Sequence, residues 1–213
     1  HIPTSSQPTL LLDFLRTLFS LVKPLDVPIY VIGLSAGGSL AARMAITYPS
    51  IKKCIVMSPF FRPYDKKALF IFFVIHALNK LTGLNMSSLL RHVTISIKAD
   101  RSSLAEILPG IPSLTLNQVH ALTLFGEKTA SLSSTLSQPT LLITSDADTR
   151  SNQKSMEKFS RNIPSLFRWI RFPKQAKVPH AMLHKGQNPD KNIVSHIEKS
   201  ILDFLSTSSN LAY

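Results

Sequence analysis

The five residues Gly33-Leu34-Ser35-Ala36-Gly37 constrain this chain more than any other stretch. A β-branched, uncharged run, PIYVIGL at 28–34, precedes them. A segment rich in small residues, SAGGSLAARMAITYP, follows with helical spacing and ends at Pro49. A G-x-S-x-G pentapeptide in that setting predicts a tight turn from strand into helix. The turn forces Ser35 toward a strained backbone, and Gly33 and Gly37 leave room for strand and helix to approach. The Ser35 hydroxyl is then lifted above the sheet end, at a helix N-terminus whose dipole favours developing negative charge. Other glycine-loop readings fail. GLSAGGS has no Gly-Lys-Ser/Thr for a phosphate loop, and its glycines do not fit G-x-G-x-x-G.

The rest of the chain repeats this alternation. Residues 9–23 have helical spacing, with Leu11, Leu15, Leu18 and Val22 on one face, and Pro24 and Pro28 break the pattern. The run at 28–34 reads as a strand buried on both faces. Residues 52–57, 139–145 and 166–172 read as further strands. Helices are expected at 151–161 and 191–205, the latter with Ile193, Ile197, Ile201 and Leu205 every fourth residue. Residues 59–136 lose the alternation and read as mainly helical. The order β-α-β, helical insertion, β-α-β-α predicts an α/β fold, a parallel sheet with helices on both faces. The expected domains are a core of 1–59 and 137–213 and a cap or lid insertion of 60–136.

Composition excludes several classes. At 213 residues and 44% hydrophobic content the chain can build a real core. A single cysteine, Cys54, rules out an intrachain disulfide and a Cys-based zinc cluster. The longest apolar run, Ala68 to Leu78, is too short for a membrane span. Asp13 and Arg16 interrupt the N-terminal apolar stretch, so it does not read as a signal peptide. No compartment is specified; cytoplasm is the default. Twenty-four Lys and Arg against 12 Asp and Glu give +12, which favours anionic surfaces. The basic residues are scattered, so a solvated basic surface accounts for them and no nucleic acid is expected.

A nucleophilic serine needs a base, and the base an orienting acid. For a G-x-S-x-G turn the chain order is serine, acid, histidine. Asp146 and Asp148 both follow the strand LLITS. His180, His184 and His196 come later, and His196 falls inside the last helix. His180, after Pro179 in a loop, is the favoured base, with His184 in reserve. Two carboxylates this close disfavour each other's ionisation if both are buried, so one should face solvent.

IYVIGLSAGGSLAARMAITYP, CIVMSPFF, QPTLLITSDADTR, VPHAML and the closing IEKSILDFL resemble, in order and spacing, the α/β-hydrolase superfamily. Within it they are most similar to the lysophospholipase, monoacylglycerol lipase and carboxylesterase-like branch. The resemblance covers about residues 10–60 and 137–206. It implies Ser35 as nucleophile, Asp148 as acid, His180 as base and the Ala36 N–H as an oxyanion donor. Asp146 stands where the family usually has glycine and is the alternative acid. The implied activity is hydrolysis of a carboxylic ester, a lipid or other acyl ester, with no metal or organic cofactor.

The same resemblance exposes a gap. Only 27 residues precede the strand that begins at Pro28, whereas the family has several strands and a second oxyanion-hole loop there. Together with a first residue that is not Met, this gives the expectation of a longer hydrolase lacking its N-terminal strands. The strand IYVIG would then be an open edge. The rival expectation is a non-catalytic basic module, or inactive hydrolase fragment, docked on anionic membrane or a protein. Residues 67–79 bear on both, as an expected cap helix apolar nearly all round. Leu69, Phe72, Phe73 and His76 would share one face and Phe70, Val74 and Ala77 another, with Lys66, Lys67 and Lys80 flanking.

Overall fold

The computed structural model describes residues 8–64, 70, 74, 81, 116–184, 188 and 190–207. Four strands form one parallel sheet in the order β1-β2-β3-β4. They are β1 (Ile29–Leu34), β2 (Ile51–Met57), β3 (Thr140–Ser145) and β4 (Leu166–Phe172). Between and around them run α1 (Pro8–Val22), α2 (Ala36–Thr47), α3 (Leu116–Ser131), α4 (Gln153–Asn162) and α5 (Lys191–Ser206). Every expected strand and helix outside the insertion is present within two residues of its expected limits. The expected helix at 67–79 lies outside the described residues, apart from Phe70 and Val74, both helical.

Strand alternation divides the core in two. Cys54, Val56 and Leu142 face α1, α2 and α4 on one side, packed with Leu15, Phe19, Ala42, Ala45, Met156 and Phe159. Ile55, Met57, Leu141 and Ile143 face the other side, beneath Ile197, Ile201 and Phe204 of α5. Parallel sheets require this double cover. Phe61, shortly after β2, and Phe125 of α3 belong to the first cluster. There α3 lies so close that a methyl on Gly126 would sit 2.5 Å from the Phe60 carbonyl oxygen.

β1 departs from the double burial expected of it. It is an edge strand, and Tyr30 and Ile32 are 43% and 55% exposed while Val31 between them is buried. That face of β1 is only partly covered, with the Lys53 ammonium 5.7 Å from the Tyr30 ring centroid. Of the expected face of α1, Leu11, Leu15 and Val22 pack in or against the core, and Phe19 stands in place of Leu18. Leu15 and Phe19 are buried, with Phe19 stacked on Tyr48 at 3.8 Å, whereas Leu18 is exposed. On α5 the buried apolar residues are Val194, Ile197, Ile201 and Phe204. The expected residues Ile193 and Leu205 pack half-buried against the same cluster as Ile197, Ile201 and Phe204, so the three-and-four spacing of a 3.6-residue turn widens the expected every-fourth row.

α5 ends on an unusual cap. Lys53 of β2 is 2% exposed, and its Nζ donates to the carbonyls of Phe204 (2.6 Å), Leu205 (3.0 Å) and Thr207 (2.5 Å). The last carbonyls of a helix lack intrahelical partners, and the cation also meets the negative end of the dipole. Burial pulls the Lys53 pKa below the ordinary lysine value.

Candidate active site

Ser35 occupies the turn between β1 and α2 with φ 59° and ψ −125°, a conformation that L-residues rarely adopt. The turn is locked from below and behind. Ser35 N–H donates to the Met57 carbonyl at 3.0 Å, and its carbonyl accepts from Gly38 (2.9 Å), Ser39 (3.2 Å) and Phe60 (2.9 Å). A methyl on Gly33 would overlap the backbone of Gly37, so the first glycine is required by space. The second contact falls one residue later than expected. A methyl on Gly37 meets nothing, while one on Gly38 would meet Met57, Gly33 and Pro59 backbone at 3.1–3.2 Å. Gly38, not Gly37, permits the close approach of helix and strand. Ala36 is the first residue of α2, so its N–H lies in the turn whose donors have no intrahelical acceptor.

The acid turn follows β3. Asp148 is fully buried at its side chain, and Oδ1 accepts from the N–H of Arg150 (2.8 Å) and Ser151 (3.3 Å). Oδ2 lies 2.7 Å from His180 Nδ1. His180 stands in the loop after β4, its side chain 13% exposed. Two strand spacings, about 10 Å, separate the β1 and β3 columns. Ser35, His180 and Asp148 all lie at the carboxyl end of the sheet, where open α/β sheets carry their sites.

The remaining candidates lie elsewhere. Asp146 turns outward to Arg171, whose Nε donates to it at 2.7 Å and whose Nη1 lies 2.9 Å from Glu157. The Asp146 hydrogen bond, aided by Glu157, holds the Arg171 pKa above the ordinary arginine value. His184 donates its N–H to the Ala181 carbonyl at 2.9 Å, and its carbonyl accepts from the Asn188 N–H at 2.8 Å. Its Nδ1 is buried without a partner. His196 sits within α5, edge-on to Phe172. His76 lies outside the described residues. Among those residues no group of three or more His, Cys, Asp or Glu is placed to hold a metal ion.

Ser58 was not anticipated. It directly follows β2, between the Ser35 and Asp148 columns, with φ 36° and no exposure. Its carbonyl accepts from Ser151 Oγ at 3.3 Å, and its own hydroxyl has no partner. The sequence offered one clue, a serine squeezed between a strand end and Pro59.

A family model described as serine aminopeptidase, S33 matches residues 10–184. Several solved structures are similar to the chain. A monoacylglycerol lipase of Paleococcus ferrophilus superposes with TM-score 0.67 at 16% identity, over 92% of this chain and 74% of that one. A soluble variant of monoglyceride lipase from Saccharomyces cerevisiae, solved with a substrate analogue, gives 0.61 at 19% identity, over 91% and 66%. A thermophilic esterase from Thermogutta terrifontis gives 0.52 at 20% identity, over 87% and 70%. The chain thus spans about two thirds to three quarters of the length of these structures. Comparison with curated protein sequences gives no match.

Proposed function

The chain belongs to the serine aminopeptidase S33 family of α/β hydrolases, and on that premise we propose that it is a serine hydrolase cleaving a carboxylic ester, a lipid or other acyl ester. Ser35 Oγ attacks the acyl carbonyl carbon while His180 takes the hydroxyl proton. Asp148 holds the imidazole in the tautomer that leaves Nε2 free to accept, and balances the imidazolium that forms. The tetrahedral oxyanion is met by the Ala36 N–H at the positive end of α2. Collapse expels the alcohol, which takes the proton back from His180. Water activated by the same base then cleaves the acyl-enzyme.

The observation that carries this reading is the 2.7 Å bond between His180 Nδ1 and a fully buried Asp148. It lies at the sheet end where Ser35 sits in a strained turn. The likeness to monoacylglycerol lipases and an esterase supports an ester substrate. Hydrolysis of a short p-nitrophenyl ester by the wild type and by Ser35→Ala tests it. Loss of turnover with the fold retained is expected, and turnover that survives the substitution rejects Ser35 as nucleophile.

We further propose that residues 60–136 form a cap whose two ends are built into the core and whose outer side meets a lipid surface. Phe70, Val74 and Leu81 are helical and expose 67%, 36% and 82% of their surface, and the chain carries +12. No described helix is long and apolar enough to cross a membrane. Phe70→Asp should weaken binding to anionic vesicles and raise KM for long-chain esters while sparing a short one. Equal effects on both esters would remove the lipid-surface role.

A further inference from the structure

Ser145, the last residue of β3, is fully buried. Its hydroxyl donates to the Val178 carbonyl at 2.7 Å and accepts from the Ala147 N–H at 3.2 Å. Ala147 immediately precedes Asp148, and Val178 lies two residues before His180. One hydroxyl thus joins the turn that carries the acid to the loop that carries the base, across 33 residues of chain.

The main chain of Ser145 is itself fixed. Its carbonyl accepts from Gln153 Nε2 at 2.6 Å and from Asp148 N–H at 3.1 Å. The next residue, Asp146, donates its N–H to the Phe172 carbonyl at the end of β4, at 2.9 Å. On the other side, Val178 is buried in the cluster that contains Ile143 and Met182. Its carbonyl has a strong need of a donor in those surroundings. A hydroxyl can donate one hydrogen bond and accept others at a single atom, which is what a joint between a carbonyl and an N–H demands. Alanine there supplies neither.

We propose that Ser145 is a positioning residue for the Asp148–His180 pair, its hydroxyl setting the spacing between acid turn and base loop. The proposal rests on the reading of Ser35, His180 and Asp148 as a catalytic triad. It touches neither substrate nor reacting atoms. It acts by holding Nδ1 on the carboxylate, and displacement of a reacting group by about 1 Å costs roughly 10²-fold in rate.

The test uses the whole chain with Ser145→Ala and, as a size-matched variant with a weaker donor, Ser145→Cys. Rates are expressed per active site titrated with a fluorophosphonate, and the low-field His180 Nδ1 proton is followed by NMR. Ser145→Ala should lower kcat by about 10- to 100-fold with KM within about twofold. The low-field resonance should move upfield or broaden away, and Ser145→Cys should fall between alanine and wild type in both readouts. If Ser145→Ala does not fold, Ser145→Cys decides by the same measurements. An unchanged resonance with unchanged kcat per titrated site overturns the proposal, even if thermal stability drops, because the serine is then only structural. The resonance needs no turnover and reports the clamp by itself. Ser35→Ala run alongside separates the two failures. If it abolishes activity while the Ser145 variants behave as wild type, the triad stands and the Ser145 role falls. If Ser35→Ala retains activity, the triad reading falls first.

Discussion

Replacing Asp148 and Asp146 one at a time with asparagine should give consequences that differ by orders of magnitude, although the two lie two residues apart. Asp148 Oδ1 already accepts two backbone N–H groups, from Arg150 and Ser151. In Asp148→Asn the amide oxygen must take that position, since an NH₂ there would face two donors. The NH₂ then falls where Oδ2 was, 2.7 Å from His180 Nδ1. The imidazole can accept that bond only by carrying its proton on Nε2, the tautomer that cannot receive the Ser35 proton. An Asp-to-Asn change of this kind costs about 10⁴ in kcat, or about 5 kcal/mol of barrier. In Asp146→Asn, Arg171 keeps Glu157 at 2.9 Å. The lost pair is partly exposed, so stability should change by under about 1 kcal/mol and kcat by less than about threefold. Steady-state kinetics on a soluble p-nitrophenyl ester, with circular dichroism to confirm the fold, measures both. Equal penalties, or a larger one for Asp146→Asn, would refute the assignment of the acid.

Other expectations follow from the packing. Lys53→Met strips one cation from three carbonyls at the end of α5. Bonds to a charged donor are worth about 1.5–3 kcal/mol each, offset by relief of the ammonium's desolvation. A net loss of about 1–3 kcal/mol is expected in urea unfolding at unchanged m, and an equal or higher midpoint would show that the cap contributes nothing. Cys54 is wholly buried, and burial pushes its thiol pKa far up. Iodoacetamide at pH 8 should leave the native chain unmodified and label it only in denaturant, and labelling of the native chain at the denatured rate would contradict the burial.

Much of this was legible from local signals. The G-x-S-x-G turn between a β-branched run and a small-residue helix announced β1, α2 and the strained serine, because few sequences satisfy that geometry. The alternation of apolar runs and amphipathic segments announced the parallel sheet. Asp148 and His180 stand out in the sequence only through chain order and resemblance. Their 2.7 Å contact spans 32 residues and follows from packing rather than spacing. What stayed hidden depends on neighbours distant in sequence. The clearance at Gly38 is set by Met57 and Pro59. Tyr30 and Ile32 read as core because periodicity cannot say whether an element exists to cover them. Ser145 and Lys53 are ordinary residues until the chain 33 and about 150 positions on returns beside them. On α1 only Leu18 departs from the expected face, where Phe19, stacked on Tyr48, is buried instead.

The account turns on Ser35 being a nucleophile activated by His180. Titration of the native chain with a fluorophosphonate, followed by mass spectrometry of the labelled peptide, tests this most directly. It predicts one adduct per chain, on Ser35, with labelling slowed at least about 10³-fold in His180→Ala. No labelling of Ser35, labelling on another serine, or an unchanged rate without His180 would contradict it.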